Sequence, residues 1–185
     1  MVVLSVDYGD ARCGVAVSDP LQMTATGLRD VTMRRGALFA FRSLCDIISE
    51  RSVGLVVVGL PFNMDGSLGP SALKVIGFAD RLISAMEGSP DPGPAAGAVC
   101  AEAFICWWKG GGYAAESWYG GASCGGRDVG VTFWDERLTT RSAQRTLIGM
   151  GKRDIRRGGS VDKAASEIIL TGYLDRLRLS GKGSE

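Results

Sequence analysis

The run VGLVVVGLP, residues 53–61, constrains this chain more than any other feature. Its apolar residues do not alternate with polar ones, so a strand built from them must be covered on both faces. The β-branched valines suit a pleated strand better than a helix. The run is far shorter than the roughly 18 apolar residues of a membrane span. A strand covered twice belongs at the centre of an α/β sheet, and the flanking sequence supplies the cover. Residues 36–50 carry Ala37, Phe41, Leu44, Cys45 and Ile48 at the 3–4 spacing of a helix. After the loop FNMDGSLG, Pro70 suits a first helical turn, and Ala72, Val75, Ile76, Ala79, Leu82, Ile83 and Met86 form a second amphipathic stripe.

Two strands precede these elements. Val2 to Asp7 and Arg12 to Ser18 are joined by a short Gly-containing turn, the pattern of an antiparallel hairpin. A third strand is expected around Thr26 to Met33. Towards the C-terminus, Val129 to Trp134 reads as a strand. Thr139 or Thr140 then caps a helix with Ala143, Leu147 and Ile148 inward, and a Gly- and Arg-rich loop occupies 149–159. The last helix carries Val161, Ala164, Ala165, Ile168, Ile169, Gly172, Tyr173 and Leu177 on its core stripe. The order β-β-β-α-β-α-β-α-α predicts antiparallel hairpins followed by parallel crossovers. Residues 88–128 break this texture, with Pro90, Pro92 and Pro94, three glycine clusters, and Trp107, Trp108 and Trp118. A segment of that length without periodicity reads as an insertion or a mis-predicted coding segment. Stacking of its tryptophans on nucleic-acid bases is an alternative.

A chain of 185 residues with 45% hydrophobic and 22% charged residues is an ordinary folded globule, which excludes a disordered protein. No apolar window is long enough to span a membrane, and no leader pattern opens the chain. The expected compartment is therefore the cytoplasm, or an organelle if a leader has been lost. Five cysteines without paired zinc spacing fit reduced thiols. The chain contains no histidine, which removes Ser-His-Asp triads and His-based metal sites. Catalysis must then run on carboxylates, hydroxyls, amines or thiols. The net charge is only +1, yet residues 137–163 hold eight basic side chains against Asp154 and Asp162. That stretch is a candidate nucleic-acid contact.

Acids stand at three predicted element ends: Asp7 closing the first strand, Asp135 and Glu136 closing the last, and Asp162 opening the final helix. Burying a carboxylate costs several kcal/mol unless something meets its charge. Hard divalent cations take oxygen ligands, and a pair of them cleaves phosphodiesters without histidine. Each acid also has a plainer explanation. Asp7 can belong to the hairpin turn, Asp162 can favour the helix dipole, and Asp135 or Glu136 can pair with Arg137 or Arg141.

The blocks DYGDARCGVAVSDP, VVVGLPFNMDGSLGP, DERLTT and VDKAASEIIL together resemble the four signature blocks of the YqgF/RuvX family. These are Holliday-junction-resolvase-like proteins of the ribonuclease H superfamily. The resemblance covers 1–86 and 129–179. It implies a ribonuclease H-like α/β fold with a mixed five-stranded sheet flanked by helices. Residues 1–185 would form a single nuclease domain, interrupted by the Gly/Trp-rich insert at about 88–128. It also implies an endonuclease, dependent on Mg²⁺ or Mn²⁺, that processes the 5′ end of pre-16S rRNA, or resolves branched DNA. In this chain Asp7, Glu136 and Asp162 would be the catalytic, metal-binding acids, with Asp135 as the substitute for Glu136. The chain departs from the family in the length of the 88–128 segment and in Cys13, where relatives carry an aliphatic residue.

Given that resemblance, Arg137, Arg141, Arg145, Lys152, Arg153, Arg156 and Arg157 are expected to hold a phosphate backbone beside the acids. A solvated charged face is the alternative. Asn63 and Asp65 are read first as a turn and second as a substrate loop. The expected partner is structured RNA or branched DNA, with no membrane, and the chain a monomer or homodimer. Two other functions compete. One is an RNA-binding ribosome-assembly factor that does not cut. The other is an actin-like or sugar-kinase ATPase, whose phosphate-binding hairpin the first block also resembles, but the roughly 145 residues outside the insert hold one domain where those folds need two.

Overall fold

The computed structural model describes residues 1–34, 36–89, 119–138 and 161–181. Strands β1 (Val2–Tyr8) and β2 (Arg12–Ser18) form the expected antiparallel hairpin, with Leu4 opposite Val17 and Asp7 opposite Gly14. β3 (Ala25–Gly27) and β4 (Val31–Thr32) both pair with β2, so the third strand predicted at Thr26 to Met33 is divided. Gly27, still paired with Ala16, gives its N–H to Glu167 Oε1 at 2.7 Å on the outer side of the strand. Helix α1 (Ala37–Glu50) follows, then β5 (Val53–Leu60) and α2 (Pro70–Met86), in which Pro70 occupies the first turn. β6 (Gly120–Cys124) and β7 (Arg127–Asp135) form a second hairpin, and α3 (Val161–Gly181) completes the described elements.

β5 takes the central place its sequence demanded. It lies parallel to β1, from Val2↔Val53 to Val6↔Val58, and on its other edge parallel to β7, from Leu55↔Gly130 to Leu60↔Asp135. Its side chains feed two cores. Val56, Val58 and Leu60 pack with Leu4, Val6, Phe41, Leu82 and Phe133 beneath α1 and α2. Leu55 and Val57 pack with Val3, Trp134, Ile169 and Leu174 beneath α3. Val56, Val57 and Val58 are fully buried, each stabilising the fold by about 1.5–3 kcal/mol relative to exposure. No described helix is long and apolar enough to cross a membrane.

Among the described residues the sheet has seven strands in the order β3-β2-β1-β5-β7-β6, with β4 also on β2, two more than the five expected. The extra edge strand, β6, lies within the 88–128 segment. Its sequence GGASC has no β-branched residue to announce a strand, and the structure instead supports it by pairing with β7 from Gly120↔Val131 to Cys124↔Arg127. Gly125 and Gly126 close this hairpin at φ +58° and +76°, the conformation that two-residue hairpin turns require. Cys13, Cys45 and Cys124 are free thiols. Trp107, Trp108, Trp118, Cys100, Cys106, the helix expected after Thr139 or Thr140, and the loop at 149–159 lie outside the described residues.

Polar anchors fix α3 across the sheet. The buried Ser5 hydroxyl donates to the Ser166 carbonyl at 2.7 Å. Near the other end of the helix, Arg178 donates to the carbonyls of Gln22 and Met23 at 2.9 and 2.7 Å, beside Met1, whose carbonyl accepts from Gln22. α3 therefore runs antiparallel to β1. Its first residues, Asp162 among them, start at the edge where β1 ends with Asp7 and Tyr8.

Candidate active site

Because β1, β5 and β7 are parallel, their C-terminal ends share one edge of the sheet, the edge where open α/β sheets place their ligands. A cleft of about 220 Å³ opens there. Asp7, Tyr8 and Asp10 line it from β1 and the turn that follows, Glu136 from the end of β7, and Ser71 and Lys74 from the start of α2.

Successive residues of a strand face opposite sides, which separates the two acids after Trp134. Asp135 is buried, and its carboxylate accepts from Arg137: Nε at 3.0 Å to Oδ1 and Nη2 at 2.6 Å to Oδ2. The Arg137 guanidinium also lies 5.0 Å from the Phe62 ring centroid and donates to the Asn63 carbonyl at 3.4 Å. Asp135 thus ties β7 to the loop after β5. Glu136 opens a single 3-10 turn over 136–138 and turns to the α3 side. There its carboxylate lies over Gly59, the glycine that interrupts the valine run. A Cβ at Gly59 would sit 2.7 Å from Glu136 Oε1 and 2.6 Å from Ile169 Cδ1. One step beyond the Val6↔Val58 pair, Gly59 also flanks Asp7, whose other neighbour is Gly14. Asp7 thus stands between two positions without side chains.

This crowding of acids has an electrostatic signature. The Glu136 carboxyl is pushed up to about 7, first by burial and then by the negative charges of Asp7 and Asp135. The donor set is carboxylate oxygen, which fits a hard divalent cation, whose charge would reverse that repulsion. Among the described residues no three Asp, Glu or Cys side chains gather at metal-ligand spacing.

Of the expected site residues, the cleft brings together Asp7 and Glu136. Asp162 is the second residue of α3. Asn63 and Asp65 form a closed turn: Asn63 donates to Ser67 Oγ at 2.8 Å, and Asp65 Oδ1 accepts from the Ser67 N–H at 2.9 Å. Arg141, Arg145, Lys152, Arg153, Arg156 and Arg157 lie outside the described residues. Sequence reasoning missed Gly59, Ser71 and Lys74. A glycine within a β-branched run is a legible mark of close approach. Lys74 carries no such mark, being one polar residue on an amphipathic helix.

The family model described as "RuvX: Holliday junction resolvase" matches residues 1–90 and 123–176, passing over 91–122. Three relatives, each named "Putative pre-16S rRNA nuclease", align along nearly the whole chain. The protein from Acetivibrio thermocellus is 33% identical over 175 residues, covering 95% of this chain and 96% of the relative. That from Halothermothrix orenii is 34% identical, covering 95% of each. That from Roseobacter denitrificans is 33% identical, covering 96% of this chain and 84% of its own. Among solved structures, RuvC of Thermus thermophilus in complex with Holliday junction substrate superposes with a TM-score of 0.52 at 14% identity, over 97% of this chain and 96% of that one. That likeness shows a shared fold, a mixed sheet between helices. With the family model matching on both sides of residues 91–122 and relatives covering 95% of its length, the chain belongs to the RuvX family.

Proposed function

We propose that this chain is a divalent-metal-dependent endonuclease acting on structured RNA of the pre-16S class, with Asp7, Glu136 and Asp162 as its metal-binding acids. One observation carries the reading: Asp7 and Glu136, far apart in sequence, line one cleft, where Glu136 rests over Gly59 at the edge from which α3 sets out. The names of the relatives support the RNA substrate. The family's description favours a second reading, resolution of branched DNA.

When bound, Mg²⁺ or Mn²⁺ would neutralise the crowded carboxylates and activate water for phosphodiester cleavage. The chain itself supplies the placement. Gly59 and Gly14 leave the space around Asp7, and the 3-10 turn aims Glu136 into it. Arg137 holds Asp135 on the other face of the strand, so Glu136 is the acid of that pair that lines the cleft. Arg141, Arg145, Lys152, Arg153, Arg156 and Arg157 follow Glu136 in the sequence and would carry the phosphate backbone.

The test incubates purified protein with a pre-16S leader RNA and with a four-way DNA junction, in Mg²⁺, Mn²⁺ or EDTA. Cleavage should need the metal and fall in Asp7→Asn, Glu136→Gln and Asp162→Asn. The loss should exceed the roughly 10–100-fold that removing a ligand's supporting group costs. Cutting of the junction alone would replace the RNA by the DNA reading. RNA binding without cutting, unchanged in all three variants, would make the protein an assembly factor.

A further inference from the structure

We propose that Lys74 is the phosphate-holding residue on the α2 wall of this cleft, and that Asp10 occupies it until a nucleic-acid backbone takes its place. The proposal rests on the nuclease reading and names a contact outside the Arg-rich stretch. Lys74 Nζ donates to both carboxylate oxygens of Asp10, at 3.1 and 2.9 Å. Both side chains are largely exposed, 58% and 72%. A pair so exposed is worth little to the fold, so exchanging its carboxylate for a phosphate costs little.

The surroundings give that exchange a use. Among the described residues lining the cleft, Lys74 is the one cation, facing Asp7, Asp10 and Glu136. A polyanion brought to three carboxylates needs a positive group to seat it, and a lysine ammonium is a point-charge phosphate ligand. Ser71 lines the same cleft one helical turn earlier, which places a hydroxyl beside the ammonium on one helix face. Asp10 belongs to the short β1–β2 turn and Lys74 to α2, so the ion pair joins side chains of two different elements across the mouth of the cleft.

Binding to fluorescent single-stranded RNA without terminal phosphates, in EDTA, isolates the backbone contact from cleavage and from phosphate ends. Lys74→Gln should weaken binding about three- to tenfold for every sequence tried and lower the salt slope by about 0.7–1. Lys74→Arg should restore it. Asp10→Asn should tighten binding, and the double variant should match Lys74→Gln. If Lys74→Gln and Asp10→Asn leave affinity and salt slope unchanged while metal-dependent cleavage persists, the assignment falls and the nuclease reading stands. If the unaltered protein neither binds nor cuts, both fall.

Discussion

At the scale of single residues, the site depends on a side chain that is missing. Gly59→Ala would press a methyl onto Glu136 Oε1 and Ile169 Cδ1, at 2.7 and 2.6 Å before relaxation. The expected result is a folded protein whose cleavage falls about 10–100-fold, the range for disturbing a ligand's support, measured as initial rates in Mn²⁺. Glu136 itself sets a pH dependence. Its carboxyl titrates at about 7 instead of the ordinary 4.5, so between these values the folded, metal-free protein holds a proton that the unfolded chain has lost. That contribution to stability is complete below about 4.5 and disappears as pH rises through about 7. In EDTA, Glu136→Gln should therefore gain in Tm on the unaltered protein between pH 5 and pH 8. Added Mg²⁺ or Mn²⁺ should reverse the order at pH 8. Parallel melting curves at both pH values would refute the assignment. Asp7 and the Asp135–Glu136 pair stood out in the sequence as carboxylates at strand ends, and the choice of Glu136 over Asp135 came from the family resemblance alone. Lys74 did not stand out, because its significance lies in what faces it across the cleft.

At the scale of elements, helices and central strands were readable, and the edges were not. β5 and α2 announce themselves through an unbroken apolar run and a clean helical stripe, both signals of burial. β6 is held by its partner strand, which the propensities of GGASC do not encode; the Gly125-Gly126 turn is the local mark of this hairpin. The long strand expected at Thr26 to Met33 is interrupted between Gly27 and Val31, and on its outer edge Gly27 donates to Glu167, a residue 140 positions away in the sequence. α3 was legible as a helix, but its seat was not. That seat includes the buried Ser5–Ser166 hydrogen bond. Ser5→Ala should cost about 1 kcal/mol, read as a lower urea midpoint at unchanged m-value. A change in m-value would show that more than this contact was lost.

For the whole molecule, we propose that the fold can spare the segment the family model passes over. The family match stops at 90 and resumes at 123, while the elements on either side already touch: Ile83 of α2 lies against Gly120 of β6, and Tyr119 donates to Asp80 at 2.9 Å. Replacing residues 90–118 by a short Gly/Ser linker should leave Tm within a few degrees and preserve metal-dependent cleavage. Loss of either would make the segment part of the working domain.

The place of β5 between β1 and β7 has a consequence for the nascent chain. β1 and β5 lie close in the sequence and can pair early, whereas β7, with Glu136, and α3, with Asp162, are synthesised much later than β5. Contacts so distant in sequence form late. A partly made chain that stops short of β7 therefore has one of the three proposed acids in place, and the nuclease is armed only once β7 and α3 have both been made.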